Sequence, residues 1–222
     1  MTSISTVGMS REKWLAARRT GIGGSDAGKI VLTREQYTYA DPGKLYLDKT
    51  GEALAEDIQS LPARHGTWCE PLVADLYSEA TGNRVHRYNR MMRSDEYPFM
   101  LADIDRKLSG KFEGLECKTI GEWAARMPVK DPETEETKWI PRLVAGDMET
   151  SLTRKPEWYC QVQHYMAVTG WQMWHLAVLI GNREFMWFDI PRDQAWIDEM
   201  IRQEAAFWDC VERRDNIWKE QE

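Results

Sequence analysis

The sequence predicts an α/β (α+β) fold in which helices and strands pack around one hydrophobic core. Three features indicate it: capped helical segments in the first third, a strand-rich middle, and an apolar hairpin followed by an amphipathic helix. Of the 222 residues, 42% are hydrophobic and 29% are charged. This composition is typical of a globular protein and excludes the disordered and collagen-like classes. We expect a single domain over residues 1–222.

Four helices are predicted before residue 82, each from a capping residue or a glycine stop. The first covers 11–19 and begins after Ser10, and the second begins at Ser25-Asp26, after the glycine-rich turn 20–24. The third covers 42–50, between Asp41-Pro42 and Gly51. The fourth covers 65–80 and ends before Thr81-Gly82. The glycine-rich turn would leave free backbone N–H groups at the start of the second helix.

The middle of the chain has short apolar runs separated by turn residues, as strands do. The predicted strands are 84–88, 91–93, 99–102, 104–108 and 112–119, with a turn at Ser109-Gly110. Because short connections join them, we expect an antiparallel meander.

The last hundred residues begin with an irregular segment. Residues 128–155 contain several prolines and the acidic stretch 131–136, so we expect a mobile insertion there and not a second domain. The elements predicted after it are a helix over 156–169 that ends at Gly170, a hairpin of strands 174–180 and 184–190, and one amphipathic helix over the last thirty residues.

Charge is unevenly distributed along the chain. The formal net charge of −7 argues against a histone-like positive coat. Residues 1–34 nevertheless carry six Lys/Arg against two Asp/Glu, whereas residues 193–222 carry four against nine. A nucleic-acid partner would therefore have to bind at a local basic site.

The cysteines and the first residues indicate a cellular location. The cysteines at 69, 117, 160 and 210 lack the close spacing of zinc or iron–sulfur sites, and a chain of this size needs no disulfide framework. Residues 1–10 lack the apolar segment of a secretory signal, and no run approaches the ~20 apolar residues of a membrane span. We expect a cytoplasmic protein with no membrane partner.

Asp105, Glu116 and Lys118 form the strongest candidate for a reactive site. A hairpin turning at 109–110 would bring Asp105 beside the strand that carries Glu116 and Lys118. These two are two residues apart and so share a face, whereas Cys117 points to the opposite side. Two carboxylates suit Mg²⁺, and an adjacent ammonium can orient or deprotonate a water. A cross-strand ion pair at the surface would give the same pattern.

Further residues have both a functional and a structural interpretation. Glu70 lies near the start of a helix, where an acid also suits the helix dipole. Arg18 and Ser25, on either side of the glycine-rich turn, suit a terminal phosphate, although Ser25 could simply cap a helix. Gln161 could reach a phosphate or belong to a polar helix face.

Five landmarks follow one another along about two thirds of the chain. They are Trp14…Arg18…Gly21-Ile22-Gly23-Gly24-Ser25, Gly66…Glu70, Ala102-Asp103-Ile104-Asp105, Leu115-Glu116-Cys117-Lys118 and Gln161-Val162-Gln163. In this order they resemble the lambda-exonuclease-like (YqaJ-type) viral recombinase family of the PD-(D/E)xK nuclease superfamily. The resemblance implies a restriction-endonuclease-like core with a central mixed β-sheet flanked by helices.

The resemblance also implies an activity and partners. The activity is Mg²⁺-dependent digestion of linear double-stranded DNA, 5′ to 3′ from a phosphorylated end, which leaves a 3′ single-stranded overhang for phage-type recombination. It implies one or two Mg²⁺ ions per subunit, with Mn²⁺ as a substitute, a ring-shaped homotrimer and a single-strand annealing protein as partner. A phage-encoded protein of this kind would act in the cytoplasm of the bacterial host.

Residue roles follow from the same resemblance. Asp105, Glu116 and the backbone carbonyl of Cys117 would be metal ligands, Glu70 a further acid at the metal, and Lys118 the catalytic lysine. Arg18, Ser25 and Gln161 would hold the 5′-phosphate. The chain departs from the lambda-type pattern of serine, proline, aspartate, because it reads Asp103-Ile104-Asp105. A carboxylate thus replaces a neutral donor beside the phosphate pocket.

Two other functions remain open from the sequence. One is an endonuclease of the same fold, which would also cut covalently closed circular DNA. The other is a non-catalytic DNA-binding accessory protein of recombination, in which the charged residues form a structural ion-pair network. A chelator separates the two classes, because it stops a metal-dependent nuclease and leaves a simple binder bound.

Overall fold

The computed structural model describes residues 1–53 and 60–219, which form seven helices and eleven strands. The helices are α1 (Arg11–Arg19), α2 (Gly24–Val31), α3 (Pro42–Thr50), α4 (Leu61–Thr81), α5 (Met148–Arg154), α6 (Pro156–Thr169) and α7 (Gln194–Arg213). The strands are β1 (Thr2–Ser5), β2 (Ile22–Gly23), β3 (Val85–Arg87), β4 (Arg90–Arg93), β5 (Met100–Asp103), β6 (Arg106–Leu108), β7 (Glu113–Ile120), β8 (Arg126–Lys130), β9 (Thr137–Pro141), β10 (Met173–Ile180) and β11 (Glu184–Pro191).

Most helix ends follow the local chemistry that predicted them. The side chains of Ser10 and Asp41 accept hydrogen bonds from backbone N–H groups three residues further on, at 3.3 and 2.8 Å. Gly51 and Gly170 end α3 and α6 in the left-handed conformation, with φ of 75° and 73°.

The start of α2 differs from the prediction. Gly23, not Ser25 or Asp26, is the N-cap residue, and Asp26 is the third residue of the helix. Its Oδ2 atom accepts a hydrogen bond from the Gly23 backbone N–H at 3.2 Å. Asp26 thus reaches back to the cap, as an acid in that position of a capping box does, and the turn itself contributes β2.

Two mixed sheets and one separate hairpin make up the β-structure. Their strand orders are β1-β4-β5-β2, β11-β10-β7-β6-β3 and β8-β9. β10 runs parallel to β7 and β2 runs parallel to β5, whereas the other pairs are antiparallel. The predicted mixed sheet flanked by helices is therefore confirmed.

Helices cover both faces of the five-stranded sheet. Tyr77 of α4 packs with Leu115 and Ala177 of β7 and β10. Leu176, the neighbour of Ala177, belongs to the larger cluster that contains Val162 of α6. Because alternate strand residues face opposite sides, one face of this sheet meets α4 and the other meets α6.

The predicted meander is wrong. β4 and β5 pair with each other but join β1 and β2 in one sheet, while β3 pairs with β6 in the other. The chain thus passes from one sheet to the other between β3 and β4 and again between β5 and β6, an arrangement that short connections do not reveal. Two helix boundaries also differ from the prediction. α4 begins after Ser60, four residues before the predicted residue 65, and α7 ends at Arg213, before the end of the chain. Residues 220–222 of the predicted last helix lie outside the described residues.

The segment 128–155, expected to be a mobile insertion, has regular structure. β8 and β9 pair from Arg126↔Pro141 to Lys130↔Thr137, and α5 follows behind the N-cap residue Asp147. The mobility of this segment stays a prediction, and so does the single domain over residues 1–222.

The cysteines form no disulfide in the described part of the chain. All four cysteines lie in the described ranges and are unpaired. Burial raises the pKa of the Cys117 and Cys160 thiols well above its usual range, so neither is a thiolate at neutral pH. Within residues 1–53 and 60–219, no helix has both the length and the apolar character needed to cross a membrane.

Candidate active site

β7 carries the predicted Glu116, Cys117 and Lys118 with the alternation expected of a strand. Glu116 and Lys118 lie opposite Leu176 and Val178 of β10, on the side of the sheet that α6 covers. Cys117 packs with the α4 cluster on the other side. The prediction that Glu116 and Lys118 share a face is therefore confirmed.

Asp105 lies immediately before β6, the strand beside β7. Its Oδ2 atom accepts a hydrogen bond from the Cys117 backbone N–H at 2.9 Å, which holds the carboxylate at the level of Glu116. Burial raises the pKa of Asp105 well above its usual range, and the charges of Glu116 and Glu70 raise it further. The carboxylates thus repel one another unless a cation or a proton lies between them.

Lys118 is held by two acceptors. Its Nζ atom donates to Glu116 Oε1 at 2.7 Å and to Gln161 Oε1 at 2.8 Å. Burial lowers the pKa of Lys118, but the charges of Glu116 and Asp105 raise it by more, so its net pKa lies above the usual value. In this arrangement Lys118 is a charged donor, which suits orientation and charge neutralisation better than proton abstraction.

Gln161 lies between Glu116, Lys118 and Tyr165. Its amide nitrogen donates to Glu116 Oε1 at 2.6 Å and to the Tyr165 hydroxyl at 2.9 Å. The two amide hydrogens are therefore engaged by Glu116 and Tyr165, and the amide oxygen by Lys118. Gln161 is buried, and its backbone carbonyl packs against Gly24, the residue before Ser25. Its predicted role in holding the 5′-phosphate with Arg18 and Ser25 stays a prediction.

Glu116 shows whether these residues fit a metal ion. Its Oε1 atom receives the two hydrogen bonds above, but its Oε2 atom is buried and has no hydrogen-bond partner. A buried carboxylate oxygen without a hydrogen-bond partner destabilises the folded protein. Because a second carboxylate lies nearby, a divalent cation is a suitable partner for it. Among residues 1–53 and 60–219, no three His, Cys, Asp or Glu side chains are grouped to hold a metal. The fit thus rests on two carboxylates and a backbone carbonyl.

Glu70, on α4, has a basic partner in the neighbouring sheet. The guanidinium of Arg106 in β6 forms a salt bridge with its carboxylate and also donates to the Asp105 carbonyl at 2.9 Å. Arg106 is buried, with its side chain only 7% exposed. Arg106 was not among the predicted site residues, although its position directly after Asp105, on the same face of β6 as buried Leu108, was a signal.

Arg18 and Ser25 do meet, in what we call the Arg18 cavity, a space of about 250 Å³. Its lining residues are Trp14, Arg18, Gly23, Gly24, Ser25, Glu70, Met91, Leu101, Asp103, Asp105 and Tyr165. Arg18 donates to Ser25 Oγ at 2.8 Å and lies 5.0 Å from the centre of the Trp14 ring. The predicted phosphate residues Arg18 and Ser25 therefore share one cavity with Asp105 and Glu70.

Asp26 forms ion pairs with Arg18 and with two lysines. Its carboxylate lies 2.8 Å from Lys49 Nζ, 3.3 Å from Lys29 Nζ and 3.5 Å from the Arg18 guanidinium. Burial raises the pKa of Asp26, but these three cations lower it by more, so the net pKa lies far below its usual range. Sequence patterns could not find this group, because Lys49 comes from α3, 23 residues away.

The chain is similar in sequence to proteins of one family. Residues 13–172 match the family model of the YqaJ-like viral recombinase domain. The Uncharacterized protein YqaJ of Bacillus subtilis (strain 168) is 37% identical over 203 residues, or 90% of this chain. The matched region is 56% of that relative, so the chain spans about half its length.

Solved structures show the same fold at lower identity. An alkaline exonuclease (LHK-Exo) from Laribacter hongkongensis is 19% identical, with a TM-score of 0.63 over 95% of this chain and 97% of that one. Its complex with dAMP gives 21% and 0.64 over the same shares. A phage related exonuclease from Haemophilus somnus 129PT is 11% identical, with a TM-score of 0.59 over 94% and 100%.

The family match covers most of the chain, and its range includes Arg18, Glu70, Asp105, Glu116 and Lys118. Together with the 37% identical relative, it settles the assignment. The chain belongs to the YqaJ-like viral recombinase domain family.

Proposed function

We propose that this protein is a metal-dependent deoxyribonuclease that digests linear double-stranded DNA 5′ to 3′ and leaves a 3′ single-stranded overhang. The observation that carries the proposal is the convergence of Asp105, Glu116 and Lys118, in which one buried oxygen of Glu116 has no hydrogen-bond partner. Family membership supports it, and so do the printed names of the structures that share the fold, which are exonucleases.

Asp105, Glu116 and the Cys117 carbonyl would hold Mg²⁺, or Mn²⁺ in its place, with Glu70 as a further acid when one or two ions bind. When bound, the metal would polarise the scissile phosphate and lower the pKa of a coordinated water. The Cys117 backbone N–H fixes the Asp105 carboxylate, and Gln161 fixes the Glu116 carboxylate. Both ligands are thus oriented by neighbouring groups before any metal arrives.

Lys118 supplies positive charge beside the reacting phosphate. The Glu116 and Gln161 oxygens direct its ammonium, and its raised pKa keeps it protonated at neutral pH. A fixed cation stabilises negative charge that develops on a phosphate during hydrolysis. Arg18 and Ser25, in the cavity that Asp105 also lines, would bind a phosphate of the DNA strand near its 5′ end.

The assembly and partners are proposed on the resemblance described above. A ring-shaped homotrimer would enclose the duplex, and a single-strand annealing protein would receive the 3′ strand in the cytoplasm of a bacterial host. Because the net charge is −7, DNA contact would be confined to phosphates at the basic site and would weaken with salt.

The test is digestion of a linear duplex in Mg²⁺, with separate 5′ and 3′ labels. We expect early release of the 5′ label, loss of all activity in EDTA, and a Lys118→Ala protein that folds and binds DNA but does not digest it. Lys130→Ala, on the exposed β8 strand, is the matched control and should keep wild-type activity. Near wild-type digestion by Lys118→Ala would refute the assigned roles.

The same experiment separates the two rival functions. Cutting of covalently closed circular duplex would identify an endonuclease. DNA binding that persists in EDTA, without digestion in Mg²⁺ or Mn²⁺, would identify a non-catalytic accessory protein.

A further inference from the structure

Asp103, at the end of β5, contributes a carboxylate to the Arg18 cavity that the proposed reaction does not use. We propose that Asp103 sets the chemistry of the DNA end: it disfavours a 5′-terminal phosphate, so that the cavity takes an internal phosphodiester next to a 5′-hydroxyl. This inference rests on the proposed function and specifies its substrate.

The position of Asp103 is fixed from two directions. The indole N–H of Trp14, on α1, donates to Asp103 Oδ2 at 2.6 Å. The Tyr165 hydroxyl, on α6, donates to the Asp103 backbone carbonyl at 3.2 Å. The Trp14 bond thus fixes the carboxylate and the Tyr165 bond fixes the backbone that carries it, which limits how far the carboxylate can turn away from a ligand in the cavity. An indole is a neutral donor, so the Trp14 bond orients the Asp103 charge without cancelling it.

Trp14 also connects Asp103 with Arg18. The Arg18 guanidinium lies over the Trp14 ring at 5.0 Å, while the indole N–H of the same ring binds Asp103. The two charged groups are therefore positioned by one side chain and face one cavity. A ligand that reaches Arg18 and Ser25 must also come near the Asp103 carboxylate.

The described lining of the Arg18 cavity contains more carboxylates than cations. Its described lining residues include one cation, Arg18, and the three carboxylates Glu70, Asp103 and Asp105. Arg106 neutralises Glu70, and Asp105 is assigned to the metal. Arg18 in turn shares its charge with Asp26 at 3.5 Å. Burial raises the pKa of Asp103, against the lowering effects of the Trp14 hydrogen bond and the Arg18 charge. Within the described lining, Asp103 is the carboxylate that neither a salt bridge nor the proposed metal neutralises, so an incoming anion would meet it.

The two kinds of DNA end differ in the charge they bring. A terminal phosphate monoester carries about −1.5 to −2 at pH 7, whereas a phosphodiester carries a single negative charge. One guanidinium and one serine hydroxyl match the single charge, and a second charge would face Asp103 at close range. A 5′-hydroxyl, by contrast, is a donor for which the Asp103 carboxylate is an acceptor.

The experiment compares two linear duplexes that differ only in a 5′-phosphate or a 5′-hydroxyl, each with an internal label. For the wild-type protein we expect the phosphate-to-hydroxyl ratio of initial rates to be one or lower. Asp103→Asn keeps an oxygen acceptor for the Trp14 indole but removes the charge, and should raise the ratio about tenfold, the effect expected of one nearby like charge. Asp209→Asn, on exposed α7, is the matched control and should leave the ratio unchanged.

Binding provides a second measurement that does not depend on turnover. Fluorescence anisotropy of the same two duplexes with Lys118→Ala should show no preference for the phosphorylated end, and Lys118→Ala combined with Asp103→Asn should acquire one. If neither duplex is digested under any condition, the proposed function fails while the binding ratio still decides the role of Asp103. A wild-type preference for phosphate that Asp103→Asn leaves unchanged would overturn the inference.

Discussion

At the scale of single residues, the two oxygens of Glu116 have opposite surroundings. Oε1 accepts from Lys118 and Gln161, whereas Oε2 is buried without a partner. Burial raises the pKa of Glu116, against the opposing effect of Lys118. Nearby Asp105 has a pKa raised by burial and by the Glu116 charge. The two close, buried carboxylates thus place the site under electrostatic strain, and a bound cation should relieve that strain.

This strain predicts that Mg²⁺ stabilises the folded protein. At a metal concentration one hundred times Kd, binding adds about 2.7 kcal/mol to the free energy of unfolding, or about 5–10 °C in Tm for a chain of this size. Asp105→Asn should lose most of this shift, because it removes one charged ligand. Thermal denaturation with Mg²⁺ and with EDTA measures both proteins, and Asp209→Asn should shift like the wild type. A full shift in Asp105→Asn would place the ion elsewhere.

At the scale of elements, the sequence predicts what local chemistry determines. Helices α1, α3 and α6 match because Ser10, Asp41 and Gly170 act on their own neighbours. The shared face of Glu116 and Lys118 also follows, since a strand alternates by two. The division of strands between two sheets does not follow, because it depends on pairings such as β1 with β4, almost ninety residues apart. The contacts of Arg106 with Glu70 and of Tyr165 with Asp103 do not follow either, because they join residues far apart in the chain.

The ion pairs around Asp26 connect α1, α2 and α3 and carry an element-scale prediction. The Lys49 side chain is only 2% exposed, so Asp26→Asn would leave a buried ammonium without its counter-charge. We expect a loss of about 3–5 kcal/mol in unfolding free energy. Lys29 also binds Asp26 but is 35% exposed, so Lys29→Met should cost less than about 1 kcal/mol. Urea denaturation compares the two, and equal losses would contradict a dominant Asp26–Lys49 pair.

At the scale of the whole molecule, His164 joins three distant parts of the chain. Its Nδ1 atom faces Glu204 Oε1 of α7 and its Nε2 atom faces the Leu101 carbonyl of β5, both at 2.9 Å. When Glu204 carries its charge, both partners are acceptors, so both ring nitrogens donate and the ring is an imidazolium. Burial lowers the pKa of His164, but the Glu204 charge, these hydrogen bonds and the Asp26 charge raise it by more. The net pKa lies above the usual value.

A raised folded-state pKa fixes the direction of the pH dependence. The stabilisation from His164 is fully present below its unfolded pKa of about 6.5 and is lost as pH rises through the higher folded pKa. Glu204→Gln removes the charge that keeps the ring protonated, and its amide can donate to the Nδ1 atom of a neutral ring. The variant should therefore be less stable than the wild type by about 3 kcal/mol near pH 6, and the difference should shrink as pH rises. Because other titrating groups cancel in the difference, urea denaturation of both proteins from pH 6 to 9 isolates this pair, and a constant difference would show that His164 is neutral in the folded state.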